Sequence, residues 1–244
     1  KNSNFKEIVK NINDPRVKIF QNPNKLNLID SLNFGIKISK GNYLARMDTD
    51  DYSYPDRFET QIKFLKKNPS IHMLGTRAIY INENGRSKYK SFNSTNSNEI
   101  KWLMHFENQF FHSSIMIKKS IIKKHKLKYG LVMNYKKKFI NNAVLNNEAE
   151  DFHLWIILEN FGKICNIDKY LIKYRVHNDS KSSSNKSELN RSFLSSCNLK
   201  ISLTIGKLID LNLTNSLVSS TDNSSYNLTK YIRILKLLEK KFLL

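Results

Sequence analysis

The chain has 244 residues, of which 40% are hydrophobic and 11% aromatic, so it can bury one sizeable core and is not a disordered protein. Its formal net charge of +20 leaves three anionic partners open: nucleic acid, an anionic membrane surface and a phosphorylated substrate. Two cysteines form neither a disulfide framework nor a metal pattern, which favours a reducing, cytoplasmic compartment. No apolar stretch reaches the roughly 18 residues that a membrane span needs.

Hydrophobic periodicity predicts that the first part of the chain alternates helices with short strands. Residues 4–12 are predicted to be helical, and residues 17–20 to form a strand. A helix is predicted over 25–40, ended by Gly41, and a strand over 43–47. A strand, helix, strand unit implies that the two strands pair in parallel with a right-handed crossover.

A helix that begins near Pro55 comes next, with Phe58, Ile62 and Leu65 predicted on its apolar face. The strand and helix signals continue to the end of the chain, and there is no internal repeat. The remaining predicted elements are a strand over 71–82, a hairpin turn at Asn84-Gly85, a helix near 99–105, a strand over 112–117, a long variable loop over 126–148, a helix over 150–162, strands over 163–167 and 170–176, a linker over 180–185 and helices near 187–209 and 226–243.

Three carboxylates within four positions, Asp48, Asp50 and Asp51, follow the predicted strand over 43–47. Packing does not explain them, because Asp is a poor strand former and clustered like charges repel unless a cation or solvent offsets them. Mg²⁺ and Mn²⁺ take carboxylate oxygens as ligands, commonly together with substrate phosphates. A solvated acidic loop, or the start of the helix that follows at Pro55, is the structural alternative.

The acidic stretch and its flanks resemble the metal-binding core of family 2 glycosyltransferases with the GT-A fold. The resemblance covers about residues 15–180 and rests on two blocks that occur in the same order. These blocks are Arg46-Met47-Asp48-Thr49-Asp50-Asp51 within 41–61, and Glu150-Asp151-Phe152-His153-Leu154-Trp155 followed by Tyr174-Arg175-Val176-His177. The family usually opens with a strand and loop that bind the nucleotide base, which implies that this chain is truncated at its N-terminus.

The resemblance implies an α/β protein with a GT-A (Rossmann-like) architecture: a mixed, mainly parallel sheet flanked by helices, with a C-terminal helical tail. The catalytic domain is expected over 1–180, without its first nucleotide-binding strand, and a helical extension over 181–244. Docking of the tail onto the catalytic domain is one expectation for its last helix. Its amphipathic stripe and nearby lysines keep open peripheral contact with the inner face of the cell membrane.

On the donor side, the resemblance implies that Asp50 is the direct ligand of Mn²⁺ or Mg²⁺, and that His177 is a further ligand. Asp48 and Asp51 are implied to bind the donor, and Arg46 to balance phosphate or carboxylate charge. Arg57 and Arg175 are further candidates for charge balance, although Arg57 also fits an ordinary helix surface. A histidine at a strand end is also often structural, so both roles of His177 stay open.

On the acceptor side, the resemblance implies that Asp151 is the general base, with Glu150, His112 and Trp155 binding the acceptor. This chain departs from the family at three positions. Ser113 stands where a proline is usual, His153 where an acidic residue is common, and Ile157 where an arginine is common. The changes at His153 and Ile157 bear on acceptor preference and leave the core mechanism in place.

The predicted function is therefore a metal-dependent inverting glycosyltransferase that moves a hexosyl or N-acetylhexosaminyl group. A nucleotide sugar, with UDP as the expected nucleotide, would be the donor, and a glycan or lipid-linked molecule of a surface polysaccharide the acceptor. A nucleotidyltransferase also needs paired aspartates and Mg²⁺, and it is the first alternative. A nucleic-acid-binding module is suggested only by the charge, and no zinc-finger or RRM signature supports it.

Overall fold

The structure, a computed structural model, describes residues 12, 14–22, 26–133, 136, 138–144, 149–176, 186–205, 236–238 and 240. The helices are α1 (Leu28–Ile38), α2 (Arg57–Lys67), α3 (Ser97–Leu103), α4 (Lys119–Lys124), α5 (Glu150–Glu159) and α6 (Lys186–Ile205). The strands are β1 (Tyr43–Ala45), β2 (Tyr52–Ser53), β3 (Ile71–Ile81), β4 (Ser87–Lys90), β5 (Met116–Lys118), β6 (Leu131–Met133), β7 (Phe139–Val144) and β8 (Lys163–Arg175). None of the described helices is both long and apolar enough to cross a membrane.

A six-stranded mixed sheet lies at the centre of the fold, in the order β1-β5-β3-β8-β2 with β4 also paired to β3. Its longest ladder is the parallel pair of β3 and β8, while the other ladders described in this sheet are antiparallel. Strands and helices thus form the α/β fold that the sequence predicts. The strands β6 and β7 form a separate antiparallel pair.

The central strand β3 is buried along most of its length, and Met73, Leu74 and Ala78 are fully buried. Its close approach to β8 requires glycine at position 75. A Cβ atom there would lie 2.1 Å from Asn166 Oδ1 and 2.8 Å from Phe110 Cδ1, which is closer than packed atoms can come. The predicted strand over 71–82 is confirmed, and so is the hairpin turn, where Gly85 has a φ of +77°.

Helix α5 is buried on nearly all sides, with every residue from 152 to 158 inside the core. It lies between β8 and α6, so both of its faces have packing partners. On the α6 side, Cys197, Leu199 and Leu203 belong to the same hydrophobic core as Trp155. The described part of the C-terminal region therefore packs into the core that carries the predicted site.

Helix α1 confirms the prediction over 25–40, and it begins where the Asn27 side chain accepts a hydrogen bond of 2.8 Å from Asp30 N. The predicted strand over 17–20 is wrong: the segment has no regular secondary structure and does not pair in the described sheet, and Phe20 is 57% exposed. The predicted parallel pairing of this segment with 43–47 is therefore also wrong. Strand β1 pairs antiparallel with β5 instead, about 70 positions further along the chain.

Four further predictions need correction. Residues 126–148 contain the β6–β7 pair instead of one loop, and residues 112–117 begin with a short 3-10 turn (His112–Ser114) before β5. The two strands predicted over 163–176 are one strand, β8, with an irregular register. In α2, Phe58 is 50% exposed, because the buried face of this helix consists of Arg57, Gln61 and Leu65. The predicted helix over 4–12 and the linker over 180–185 lie almost entirely outside the described residues.

Candidate active site

Asp48, Asp50 and Asp51 come together in the loop between β1 and β2. One carboxylate oxygen from each lies within 4.8 Å of the other two, and the Asp50 side chain is the most exposed of the three. Burial raises the pKa of Asp51, and the charges of Asp50 and Asp48 add to this shift. Asp51 Oδ2 is buried without a hydrogen-bond partner among the described residues. An unsatisfied buried oxygen amid clustered carboxylates fits a hard divalent cation, which would offset the charge and complete the bonding.

Asp48 is held in place by two neighbours. The Arg46 guanidinium donates to both of its carboxylate oxygens, and Ser113 Oγ donates to Oδ2 over 2.9 Å. Ser113 Oγ also accepts a hydrogen bond of 3.1 Å from Asp48 N. Arg46 therefore pairs with a protein carboxylate, and Ser113, where the family usually has proline, fixes both the backbone and the side chain of Asp48.

The start of the acidic loop is anchored by Arg57, whose side chain is fully buried. Its Nη2 donates to Arg46 O over 2.9 Å, and its Nε donates to Gln61 Oε1 over 3.1 Å. Gln61 Nε2 donates in turn to Leu74 O and Ser114 O, so the loop is tied to β3 and to the 3-10 turn. Burial lowers the pKa of Arg57 to about 10, which leaves it charged at neutral pH, and Asp51 opposes this shift.

The end of the loop is anchored by Arg175, the last residue of β8. Its backbone N donates to Asp51 Oδ1 over 2.7 Å, and its Nε donates to Asp50 O over 2.8 Å. Its Nη1 donates to Asn82 O and Glu83 O, over 3.0 and 2.5 Å. The guanidinium thus binds backbone carbonyls of two segments, and the acidic loop is fastened to the β3–β4 hairpin.

Asp151 lies at the first turn of α5. Its Oδ1 accepts a hydrogen bond of 2.6 Å from Phe152 N, and its Oδ2 accepts one of 3.4 Å from Asn108 Nδ2. Burial raises the pKa of Asp151, although the Phe152 N–H, the charge of Arg46 and Asn108 oppose the shift. Burial also raises the pKa of Tyr174 to about 12, with contributions from Asp51, Asp48 and Asp151. The acidic loop and Asp151 therefore both lie close enough to Tyr174 for their charges to act on this phenol.

His112 and Trp155 belong to an aromatic cluster beside Asp151. His112 Nε2 lies 2.8 Å from Tyr129 Oη, and burial together with Arg46 lowers the pKa of His112, which keeps its ring neutral. Trp155 is fully buried, and its ring packs edge-on against those of His112 and Tyr129 at centroid distances of 5.6 and 6.3 Å. Trp155 thus supports the His112 ring. Glu150 is 7% exposed beside Asp151.

His153 and Ile157, the two positions of α5 at which this chain differs from the usual family residues, both lie in the interior. His153 Nδ1 lies 3.4 Å from Ser196 Oγ of α6, and Ile157 is fully buried. Both side chains thus belong to the packed interior around α5. His177, the predicted second metal ligand, lies outside the described residues.

Sequence reasoning did not identify several residues that shape the site: Gln61, Asn108 and Tyr129, together with the anchoring roles of Arg57, Ser113 and Arg175. A shared helix face was indicated by the four-residue spacing of Arg57, Gln61 and Leu65. Two of these three residues are polar, however, and polar residues usually mark the solvent-exposed face of a helix, so their burial was not predicted. Asn108 and Tyr129 lie in connecting segments, where no periodicity marks them.

The family model described as glycosyl transferase family 2 matches residues 2–126, slightly more than half of the chain. The chain belongs to glycosyltransferase family 2. An uncharacterized glycosyltransferase from Haemophilus influenzae is 30% identical over an alignment of 212 positions that covers 83% of this chain and 62% of the relative. The O-antigen biosynthesis glycosyltransferase WbnJ of Escherichia coli is 34% identical over 153 residues, which are 62% of this chain and 54% of WbnJ. This member of the glycosyltransferase family thus spans roughly 54–62% of the length of these relatives.

Among solved structures, residues 1–349 of S. aureus TarS in complex with UDP-GlcNAc match with a TM-score of 0.51 and 12% identity. The match covers 86% of this chain and 60% of the TarS chain. At this level of identity the likeness supports the glycosyltransferase fold alone. It agrees with the α/β architecture described above.

Proposed function

We propose that this chain carries the catalytic part of a metal-dependent inverting glycosyltransferase, with the catalytic domain over 1–180 and a helical extension over 181–244. It would move a sugar from a nucleoside-diphosphate donor, with UDP as the nucleotide, to a glycan or lipid-linked acceptor. The carrying observation is the acidic cluster of Asp48, Asp50 and Asp51, which lies close enough to Asp151 for the charges of Asp48, Asp51 and Asp151 to act on the same phenol, Tyr174. Membership of the family supports sugar transfer, and the O-antigen role in the name of WbnJ supports a surface polysaccharide acceptor.

For the donor side, we assign Asp50 as the direct ligand of Mn²⁺ or Mg²⁺, because its carboxylate is the exposed member of the cluster. Asp51 offers the unsatisfied Oδ2, and His177 is proposed as a further ligand. Asp48 and Arg46, already paired, would face the donor as a fixed unit. When bound, the cation offsets the negative charge that develops on the departing diphosphate.

For the acceptor side, Asp151 takes the proton from the attacking hydroxyl. Its raised pKa suits a base, since proton transfer is most efficient when the pKa of the base lies near the working pH. Neutral His112 and the adjacent Glu150 are proposed to bind acceptor hydroxyls, and Trp155 to hold His112 in position. Attack from the side opposite the diphosphate would invert the anomeric centre. The enzyme would work in the cytoplasm. If its acceptor is lipid-linked, it would also contact the inner face of the cell membrane.

The test is calorimetric titration of Mn²⁺, with and without UDP, into the chain and into Asp50→Asn. We expect UDP binding that requires Mn²⁺ in the unchanged chain. Mn²⁺ binding should be weaker in the variant by at least about 10- to 100-fold, because this loss already follows the removal of residues that only support the ligands. Asp56→Asn is the matched control, because Asp56 is exposed and lies outside the cluster, and its side chain makes no helix-cap hydrogen bond. Equal Mn²⁺ binding by Asp50→Asn and the unchanged chain would refute the assignment.

A further inference from the structure

A cavity of about 410 Å³ has no role in the proposed chemistry so far. It is formed by the β3–β4 hairpin, the segment after it and the turn that follows α3. Its lining residues are Tyr80, Tyr89, Lys90, Ser91, Phe92, Asn93, Ser94, Glu99, Leu103, Glu107, Asn108 and Gln109. Asn108 Nδ2 also donates to Asp151 Oδ2. One residue of the cavity wall, Asn108, is therefore in direct contact with the proposed base, Asp151.

One side of the cavity is aromatic and open. Phe92 is 88% exposed, the most exposed large hydrophobic side chain among the described residues, and Tyr89 is 57% exposed. The Tyr89 ring stacks on Tyr80 with a centroid distance of 4.3 Å and an angle of 28°, so its position is fixed. An aromatic surface of this size left in water costs free energy that a ligand would recover on binding.

The other side is polar and already ordered. Ser94 Oγ donates to Glu99 Oε2 over 2.6 Å, and Gln109 Nε2 donates to Glu107 Oε1 over 2.7 Å. Ser94 N donates to Gln109 Oε1, which joins the two pairs. Beneath them, Asn166 Nδ2 donates to the backbone oxygens of Ser94 and Gln109, each over 2.9 Å. This network presents carboxylate and amide oxygens to the cavity from a fixed wall.

An aromatic chain links the cavity to the acidic cluster. Tyr80 meets Tyr174 and Phe111 edge-on, with centroid distances of 5.6 and 5.5 Å. Tyr174 is the phenol whose pKa responds to Asp48, Asp51 and Asp151. Packed aromatic rings therefore run from the cavity to Tyr174.

Building on the function proposed above, we infer that this cavity binds a sugar unit of the acceptor. One face of a pyranose ring consists of C–H groups that pack on aromatic rings, which here are Phe92 and Tyr89. The hydroxyls at its rim both donate and accept, which matches the carboxylates of Glu99 and Glu107 and the amide of Asn108. Charge favours a neutral sugar over a phosphate, because the lining carries two carboxylates and a single cation, Lys90. A sugar seated here directs its next hydroxyl along Asn108 towards Asp151.

The experiment is saturation-transfer-difference NMR of the full chain with methyl glycosides of glucose, galactose, mannose and N-acetylglucosamine, without metal or nucleotide. We expect at least one glycoside to bind, with the strongest transfer to the ring protons of its apolar face. Phe92→Ala should raise its Kd by about 2- to 12-fold, the loss expected for one aromatic contact. Phe92 is 88% exposed, so its removal takes little from the core and the variant will fold. Tyr89→Ala should weaken binding in the same direction.

Phe58→Ala is the matched control, because Phe58 is also exposed but lies outside this cavity, and it should bind the glycoside normally. Binding by none of the four glycosides, or an unchanged Kd in Phe92→Ala, would overturn the inference. Displacement of the glycoside by UDP alone would also overturn it, since the cavity would then belong to the donor. Mn²⁺ binding by the same samples reports on the acidic cluster separately. The glycoside result and the Mn²⁺ result can therefore fail independently.

Discussion

The contact between α5 and α6 includes a buried ion pair. We expect a substitution of one partner to lower the free energy of unfolding strongly, and an apolar substitution of both partners to restore most of it. Lys200 of α6 has a side chain that is 2% exposed, and its Nζ donates to Glu159 Oε2 at the end of α5 over 2.7 Å. Glu159 also meets Lys101 Nζ at 3.3 Å, but that lysine is 49% exposed. Glu159→Met therefore leaves the Lys200 ammonium buried without this carboxylate. Breaking a buried ion pair from one side costs about 3–5 kcal/mol of unfolding free energy.

The double variant Glu159→Met, Lys200→Met should lie within about 1–2 kcal/mol of the unchanged chain, because apolar replacement of both partners removes the buried charge as well. Urea unfolding followed by fluorescence of Trp102 and Trp155 measures each free energy. Glu59→Met is the control: Glu59 pairs with Lys63 through side chains that are 67% and 70% exposed, so it should change stability by less than about 1 kcal/mol. If Glu159→Met costs no more than Glu59→Met, or the double variant is as unstable as the sum of the singles, the argument is wrong.

The same pair gives a pH dependence whose sign follows from the structure. Burial raises the pKa of Glu159, but Lys200 and Lys101 outweigh it and the net shift is downward from 4.5. A carboxylate whose pKa is lowered by folding stabilises the folded state above its unfolded pKa. The contribution of Glu159 should therefore be complete at neutral pH and fall away below about pH 4.5, as the pH passes through the folded pKa.

Two further predictions concern the site. Asp151→Asn should lower kcat by about 10²- to 10⁴-fold, while Mn²⁺-dependent UDP binding, measured by calorimetry, stays unchanged. In the unchanged chain, kcat should fall on acidification at a pH above 3.8, because the pKa of Asp151 is raised above this value. A parallel loss of UDP binding would contradict its role as base. Ser113→Ala should weaken Mn²⁺ binding by about 10-fold, since Asp48 loses the hydroxyl that orients it, and unaltered affinity would show that Arg46 alone suffices.

The parts of the fold that local sequence predicts well are those with a strong local signal. The apolar run of β3 and the glycine of its hairpin are each encoded within a few residues. The pairing of β1 with β5 depends on contacts about 70 positions apart, so periodicity could not distinguish it from a parallel crossover. The segment 17–20 has strand-like composition, but a strand also needs a hydrogen-bonding neighbour, and composition does not provide one.

The site shows the same division between local and distant signals. Three aspartates in four positions are recognisable from sequence as a candidate metal site, because clustered like charges have few structural explanations. The burial of Arg57 could not be foreseen, since its backbone acceptor, Arg46 O, comes from a strand end that only the fold brings close. The position of Trp155 depends on which face of α5 meets His112, and the run from Leu154 to Leu158 places apolar residues all around the helix. A buried helix without a polar face gives no indication of its orientation.

The way in which Arg175 fastens the acidic loop also bears on how this site tolerates sequence change. Its guanidinium binds main-chain oxygens of residues 50, 82 and 83, and every amino acid supplies such an oxygen. This contact therefore requires a particular side chain only at position 175. It places no restriction on the residue types at positions 50, 82 and 83. Mutational drift in the hairpin can proceed without changing these contacts, whereas replacement of Arg175 would remove the guanidinium contacts to both segments in a single step.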